Sequence, residues 1–475
     1  MRRRSFMAGA GASLALLSCA RSNAPRSEGE GATVDVDDPF IAELQERTFR
    51  WIWEKTPAAT GLTPDRWPTP SFSSIAAVGF ALTAYGVGAE RGWITRAQAL
   101  ARTLATLRFF HGARQGPAQS GVSGHRGFFY HFLDAAAGTR FAQTELSSID
   151  TTLLMGGVLF AQSYFDGDDA GEAEVRRLAE ELFARVEWDW MRPRAPFVSM
   201  GWHPEEGGKF IDYDWDQYNE SALLYVLALA SPSHAVPEGA WQAWTGRFER
   251  QWGARWGEPH LQFPPLFGHQ YSHLWVDFRG IRDGYMAGKG IDYFENSRRA
   301  VYAQQAYAAE NPGAFAGYGE NLFGLTACDG PGDFVREIGG RRRQFFSYSA
   351  RGPGDRDDGT IAPTALGGAV PFAPEIAIPA LKRMRARYGE AIYTEYGFLD
   401  SFNPTLNEPM SNLMHGRIVD GLCWVDGDYL GIDQGPIVCM IENWRTGLIW
   451  NVMRRNAHIR RGLERAGFSG GWLES

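Results

Sequence analysis

A mostly α-helical domain, its up-down helix pairs either closed into a ring with short β-hairpin insertions on a loop rim or stacked as an α-solenoid, is the architecture this sequence predicts. Apolar residues recur at three- and four-residue spacing along most of its length. Several of these segments, among them Ala76-Ala77-Val78-Gly79-Phe80-Ala81 and Leu153-Leu154-Met155-Gly156-Gly157, are apolar nearly all round, as helices buried on every side must be. Carboxylates stand at helix starts beside aromatic-rich loops, which suits helix ends that converge on one rim.

The periodic segments run over residues 40–54, 74–90, 95–111, 148–165, 171–187, 219–230, 239–252, 296–310, 374–388 and 436–452. Short β-like pieces lie between some of them, at 127–134, 139–142, 197–200 and 274–279. Inner helices of a toroid would be the segments rich in small residues, and the amphipathic ones would surround them. With 475 residues, 44% of them hydrophobic, the chain can bury a large core, and no long Ser/Pro linker divides it. One catalytic domain over 39–475 is therefore expected, as a monomer.

The N-terminus reads as an address. Arg2, Arg3 and Arg4 precede Ser5-Phe6-Met7 and a small-apolar run over 8–17, an export signal of twin-arginine character. Leu16-Leu17-Ser18-Cys19 resembles a bacterial lipobox, with cleavage before Cys19 and a diacylglycerol on its sulfur. Residues 1–18 are thus a signal and 19–38 a polar, disordered tether. The expected location is the periplasm or outer membrane, with only a lipid anchor touching the membrane. Among the remaining Cys328, Cys423 and Cys439, pairing of Cys423 with Cys439 and three free thiols are both open.

The most informative stretch is GWHPEEGGKFIDYDWDQYNE at residues 201–220. It sets Glu205, Glu206, Asp212, Asp214, Asp216 and Glu220 among Trp202, His203, Phe210, Tyr213, Trp215 and Tyr218. A core cannot hold that many ionised carboxylates, and a solvated loop has no use for that many rings. Together they suit a sugar site, where rings stack on pyranose faces and carboxylates hold hydroxyls and move protons. A formal charge of −8 with no basic stripe argues against nucleic acid and polyanionic glycans alike. No cofactor and no metal is expected: the alternating context of His269 and His273 suggests a strand, and Asp355-Arg356-Asp357-Asp358-Gly359 reads as a solvated turn rather than a calcium loop.

Further acids mark helix starts. Glu145 and Asp150 flank the start of TELSSIDTTLLMGGVLF, and Glu220 opens NESALLYVLALA. Glu375 follows Pro374, and Asp433 precedes Gly435-Pro436, a proline suited to a first helical turn. Singly, each is an N-terminal charge worth about 0.3–1 kcal/mol. Repetition beside aromatic loops makes them candidates for a shared cleft.

Several blocks resemble the glycoamylase-like family that includes endo-β-1,2-glucanases and β-1,2-oligoglucan hydrolases, glycoside hydrolase family one hundred and forty-four. They are Gly201-Trp202-His203-Pro204-Glu205, Tyr218-Asn219-Glu220, HQYSHLWVDFR, Asp292-Tyr293-Phe294-Glu295-Asn296-Ser297, Leu325-Thr326-Ala327-Cys328-Asp329-Gly330, DGTIAPTALGGAVPFAPEI and GIDQGPIVCMIENWRTGLIW. The likeness covers residues 40–465. It implies an (α/α)6 barrel and hydrolysis of a neutral β-linked glucan with inversion. The β-1,2 linkage rests on this resemblance alone.

An inverting glycosidase needs one protonated and one ionised carboxyl on opposite faces of the sugar. Glu220, among Tyr218 and Trp215, is the candidate acid, because a semi-apolar surround raises a carboxyl pKa. Asp150 is the candidate base or water-positioner. Glu145, Asp216, Asp329, Glu375 and Asp433 would hold hydroxyls or tune that pair. Trp202, His203, Trp215, Tyr218, His269, Tyr271 and Phe294 are candidate subsite contacts. A surface lipoprotein that binds glycans without cleaving them would not need several convergent acids. A lyase would need basic residues to neutralise a uronate, and an epimerase would use paired histidines in a closed pocket.

Overall fold

A computed structural model describes residues 34–474. The segments expected to be an export signal and a tether, with Cys19, lie outside the described residues up to residue 33. Twelve of the described helices form six antiparallel pairs, each outer helix leading into an inner one. The pairs are α1 (Pro39–Lys55) with α2 (Ile75–Glu90), α3 (Arg96–Gly112) with α4 (Ser148–Tyr164), and α5 (Ala170–Ala184) with α6 (Ala222–Ala230). Next come α7 (Gly239–Thr245) with α8 (Tyr271–Trp275) and a short α9 (Gly284–Lys289). The last pairs are α10 (Tyr293–Glu310) with α11 (Pro363–Gly367), and α12 (Pro374–Tyr388) with α13 (Gly431–Arg445). Finally α14 (Leu448–Met453) packs on α4, and α15 (Ala457–Arg465) on α6.

Burial separates the two rings of helices. Every residue of α6, α8 and α11 is buried, and so is α13 up to Asn443. By contrast, α1 buries one stripe: Ile41, Leu44, Gln45, Thr48, Phe49, Trp51 and Ile52. The inner helices follow one another around the barrel, with α2 between α4 and α13, α4 beside α6, α6 beside α8, and α11 beside α13. Gln270 closes the ring, its Nε2 donating to the Ala365 carbonyl of α11 at 2.7 Å. Phe80 of α2 stacks on Trp275 of α8 (5.3 Å, 7°) and meets Tyr271 edge-on, so rings fill the middle of the barrel.

The closest approach is between α2 and α4. A Cβ on Gly79 would stand 2.1 Å from the Leu153 carbonyl oxygen, and one on Gly157 would stand 2.1 Å from that of Gly79. Backbone meets backbone there, which is why the small residues fall on these two helices.

Short strands lead into the inner helices. Ser73–Ser74 precedes α2, Leu146–Ser147 precedes α4 and Tyr429–Leu430 precedes α13. The largest sheet is antiparallel and runs Gly124–His125, Phe128–Tyr130, Leu146–Ser147, Gly201–His203, Lys209–Phe210. Ser74 and Ser147 cap α2 and α4 through their side chains. The hairpin of Phe334–Ile338 with Arg341–Phe345 packs on the 404–424 loop around a separate small core of Phe345, Leu406 and Trp424.

Some local expectations fail. The block around His269 and His273 is a 3-10 turn (Leu266–His269) followed by α8, not a strand. Its residues are buried on all sides inside the ring, so polarity does not mark its period. Pro436 sits inside α13, which begins at Gly431 with its N–H on the Asp65 carbonyl. Cys328, Cys423 and Cys439 are all free and buried. The turn at 355–359 is solvated only at Asp355 and Arg356: Asp358 pairs with Arg351 at 2.9 Å, and Asp357 accepts from the Tyr307 and Tyr318 hydroxyls, both at 2.7 Å.

Gly157→Val should lower stability by about 3 kcal/mol, because neither facing backbone can yield to the added methyls. Thermal unfolding measures it, and an unchanged midpoint would contradict the close crossing.

Candidate active site

The alternation of outer and inner helices sends all six inner N-termini to one face. Asp150 lies in the first turn of α4 and Asp433 in the first turn of α13, and Glu220 stands just before α6. In the order around the ring, α6 and α13 are opposite each other, so Glu220 and Asp433 belong to facing walls. Both are buried, at 8% and 2% exposure. The Glu220 carbonyl accepts from Ser272 Oγ at 2.7 Å, which ties the α6 entrance to α8. The Asp433 carbonyl accepts from Thr364 Oγ1 of α11 at 2.9 Å.

On the α4 side, Asp150 is not open to the cleft. Ser147 Oγ donates to its Oδ2 at 2.6 Å, and His131 Nε2 stands 3.3 Å from its Oδ1. The other nitrogen of His131 meets Glu145 Oε1 at 2.7 Å. The result is a chain Glu145–His131–Asp150 in which Glu145, half-buried, is the outer member. Ser147 and His131 thus engage both oxygens of Asp150, which is 3% exposed.

The α13 side holds a denser group. Asp329, Asp400 and Asp426 turn oxygens toward one another within 4.8 Å, all buried. Arg66 Nη1 reaches Asp329 Oδ2 at 2.6 Å and Asp428 Oδ2 at 3.3 Å, and Arg66 Nε lies 3.5 Å from Asp65. The Asp329 N–H donates to Asp400 Oδ2 at 2.8 Å. Burial, then the neighbouring Asp433 and Asp329, push the Asp400 carboxyl well above its usual range. Burial, then Asp329, Asp400 and Asp428, do the same to Asp426. Burial works against the Arg66 charge, but Asp329 and Asp65 more than offset it and hold its pKa above the ordinary value. One cation among this many buried carboxylates favours their protonated forms.

Most of the candidate ring contacts are structural. Trp202 is buried against His125 and Trp190, at 5.2 and 5.7 Å between centroids. Trp215 donates Nε1 to Ser148 Oγ at 2.9 Å, pinning the 201–220 loop to α4. The Tyr218 hydroxyl meets His269 Nδ1 at 3.0 Å and accepts from Asn296 Nδ2 at 3.1 Å. Burial raises the pKa of Tyr218 and drives those of His269 and His273 down to about 3, so both histidines are neutral. Tyr271 belongs to the central packing described above. His203 is half-buried at the rim, 3.4 Å from Arg140, and burial lowers its pKa. Asp216 is ion-paired with Arg247.

Two candidates are on the wrong face. Phe294 and Glu375 begin the outer helices α10 and α12, which start where inner helices end. Phe294 packs on Phe372 (5.0 Å) and Trp450 (6.2 Å), and Glu375 accepts from Arg298 at 2.7 Å and from the Tyr302 hydroxyl. Sequence reading also passed over Arg66, His131, Asp400, Asp426 and Asp428. A signal existed: charged or titratable residues isolated in apolar runs, as in Tyr130-His131-Phe132 and Trp424-Val425-Asp426.

An α/α toroid with a carboxylate-lined rim over its inner helix N-termini is the class this geometry defines. The glycoamylase family model, described as "Putative glucoamylase", matches residues 212–457, just over half of the chain, and the chain belongs to that family. It is similar to the exo beta-1,2-glucooligosaccharide sophorohydrolase (non-reducing end) of Parabacteroides distasonis, with 28% identity over 461 residues, 90% of this chain. The chain spans 58% of the length of that relative. A "putative glucoamylase" of Bacteroides uniformis superposes with a TM-score of 0.79 at 29% identity, over 93% of this chain and 100% of the other. An endo-beta-1,2-glucanase of Chitinophaga pinensis, in complex with sophorotriose and glucose, gives 0.76 at 27% identity, over 93% and 100%.

The aspartate cluster makes stability depend on pH. Asp400 and Asp426 titrate higher in the folded chain than their usual 3.8. Above about pH 4 the folded state therefore holds more protons than the unfolded one, and the cluster's contribution falls as pH rises. Asp400→Asn removes one titrating group and keeps the shape, so it should flatten that fall. Urea unfolding at a series of pH values checks this, and an unaltered pH slope would contradict it.

Proposed function

We propose that this chain is a glycoside hydrolase that cleaves β-1,2-linked glucan or its oligosaccharides with inversion at the anomeric carbon. The observation that carries the chemistry is the pair Glu220 and Asp433 on opposite walls of one rim. Inversion needs a proton donor on one face of the sugar and a base on the other, roughly 6.5–9.5 Å apart. Glu220, buried at the end of the 201–220 loop, gives its proton to the glycosidic oxygen as the bond to the anomeric carbon breaks. A water on the far side attacks that carbon and loses its proton to Asp433. The product then leaves with a new reducing end in the α configuration.

Asp400 stands beside Asp433, and burial with the neighbouring Asp433 and Asp329 holds its carboxyl above the usual carboxylate range. Glu145, half-buried at the rim, is suited to a sugar hydroxyl and is held in place by His131 with Asp150, whereas Asp329 and Arg66 are buried in their own ion pair. The similarity to a sophorohydrolase and an endo-β-1,2-glucanase supports the linkage. The net negative charge supports a neutral polymer.

Glu220→Gln and Asp433→Asn should each fold normally and lose turnover by two or more orders of magnitude, roughly the range of general acid–base catalysis. Reducing-end release from β-1,2-glucan, with proton NMR of the first product, reads both rate and anomer. Near-wild-type turnover in either variant removes that residue, an initial β-anomer removes inversion, and turnover only of a β-1,3 or β-1,4 chain removes the linkage.

The reading extends to location. Among the described residues no helix is long and apolar enough to cross a membrane, and the lipobox-like Leu16-Leu17-Ser18-Cys19 supports an exported lipoprotein held by its acyl chains. Cys19→Ala should move the protein from the membrane fraction to the soluble one. A wild-type protein that is soluble and carries no lipid by mass spectrometry would overturn this.

A further inference from the structure

Phe141 stands out among the rings at the rim because it is held firmly and yet exposed. Among the described residues only two aromatic rings count as exposed, Phe141 at 36% and Tyr213 at 43%. Phe141 is the outer end of a row of ring contacts, one stacked and two tilted, that begins at His131. His131, the bridge between Glu145 and Asp150, stacks on Phe132 with centroids 3.9 Å apart. Phe132 meets Phe72 at 4.2 Å, and Phe72 meets Phe141 at 4.6 Å.

The backbone fixes this row as well. Ser74 pairs with Phe132 across the strands that lead into α2. The Phe141 N–H donates to the Phe132 carbonyl at 3.0 Å, and the Phe141 carbonyl accepts from Thr144 Oγ1 at 2.9 Å. The neighbouring Arg140 is anchored on the Thr144 carbonyl and on Glu205, at 2.7 Å each. Ala142, next in the chain, is held at φ +48°, a region that favours glycine. A strained turn that keeps an apolar ring facing water is costly unless the ring has a use.

Resting on the functional reading above, we propose that Phe141, buttressed by Phe72 and Phe132, is a stacking platform for a glucosyl unit of the substrate outside the cleaved linkage. The apolar C–H face of a pyranose fits a flat ring of this kind. Because the ring is already immobilised, little side-chain entropy is lost when sugar binds. The row ends on His131, which bridges Glu145 and Asp150, so the platform lies on the α4 side of the same rim. Shorter substrates would not reach it.

Steady-state kinetics of Phe141→Ala and Phe141→Trp, on β-1,2-glucan and on the shortest oligosaccharide the wild type cleaves, tests this. Phe141→Ala should raise KM for the polymer roughly three- to ten-fold, the weight of one ring contact, with kcat nearly constant. KM for the shortest substrate should stay close to wild type, and Phe141→Trp should restore the polymer value. With an active wild type, an unchanged polymer KM in Phe141→Ala overturns this proposal alone. So does an equal loss on both substrates, or a loss that tracks dissociation of a dimer in sedimentation. A wild type inactive on β-1,2-glucan overturns the functional reading and this proposal with it.

Discussion

All six inner helices point the same way, and the rest of the molecule depends on that constraint. Up-down connectivity sends their N-termini to one face, where free N–H groups and the helix dipole favour negative charge. The chain puts Asp150 and Asp433 into two of those first turns and Glu220 just before a third, with Glu145 ahead of the same helix as Asp150. Strands and loops then bring Asp329, Asp400, Asp426 and Asp428 to the same face, with Arg66 beside them. Carboxylates crowded into a buried rim cannot all be ionised. Burial and the neighbouring carboxylates raise the pKa values of Asp400 and Asp426 there, the direction that favours an acid in its protonated form.

Packing beneath the rim makes this possible. Inner helices buried on every side must meet closely, and glycines at 79 and 157 let α2 and α4 touch backbone to backbone. Phe80, Tyr271 and Trp275 fill the centre, so the barrel is a solid base and not a channel. The 201–220 stretch contributes differently from what its composition suggested. Its large rings, Trp202, Trp215 and Tyr218, are structural pegs that fix the loop, and its exposed ring is Tyr213.

Helix identity and the acid-bearing helix starts were legible in the sequence because both are local signals. An all-round apolar run marks an inner helix wherever it falls. What sequence could not separate was the two faces of the ring. Pro374-Glu375 looks like any other helix start, and only the outer position of α12 sends it to the opposite side. The five residues of α8 span little more than one turn, too short to show a helical period. Arg66 and Asp329 are 263 positions apart, so their pairing had no local trace. His131 was hidden for the same reason, since its meaning comes from Glu145 on one side and Asp150 on the other.

A crystal structure of Glu220→Gln with a β-1,2-gluco-oligosaccharide tests the central claim most directly. The account predicts a sugar chain lying across the inner helix N-termini, with the side-chain amide introduced at position 220 within hydrogen-bond distance of a glycosidic oxygen. Asp433 should face the opposite side of the adjoining anomeric carbon. Oligosaccharide bound at the other face, beside Phe294 and Glu375, or both carboxyl positions on one side of the sugar ring, would contradict it.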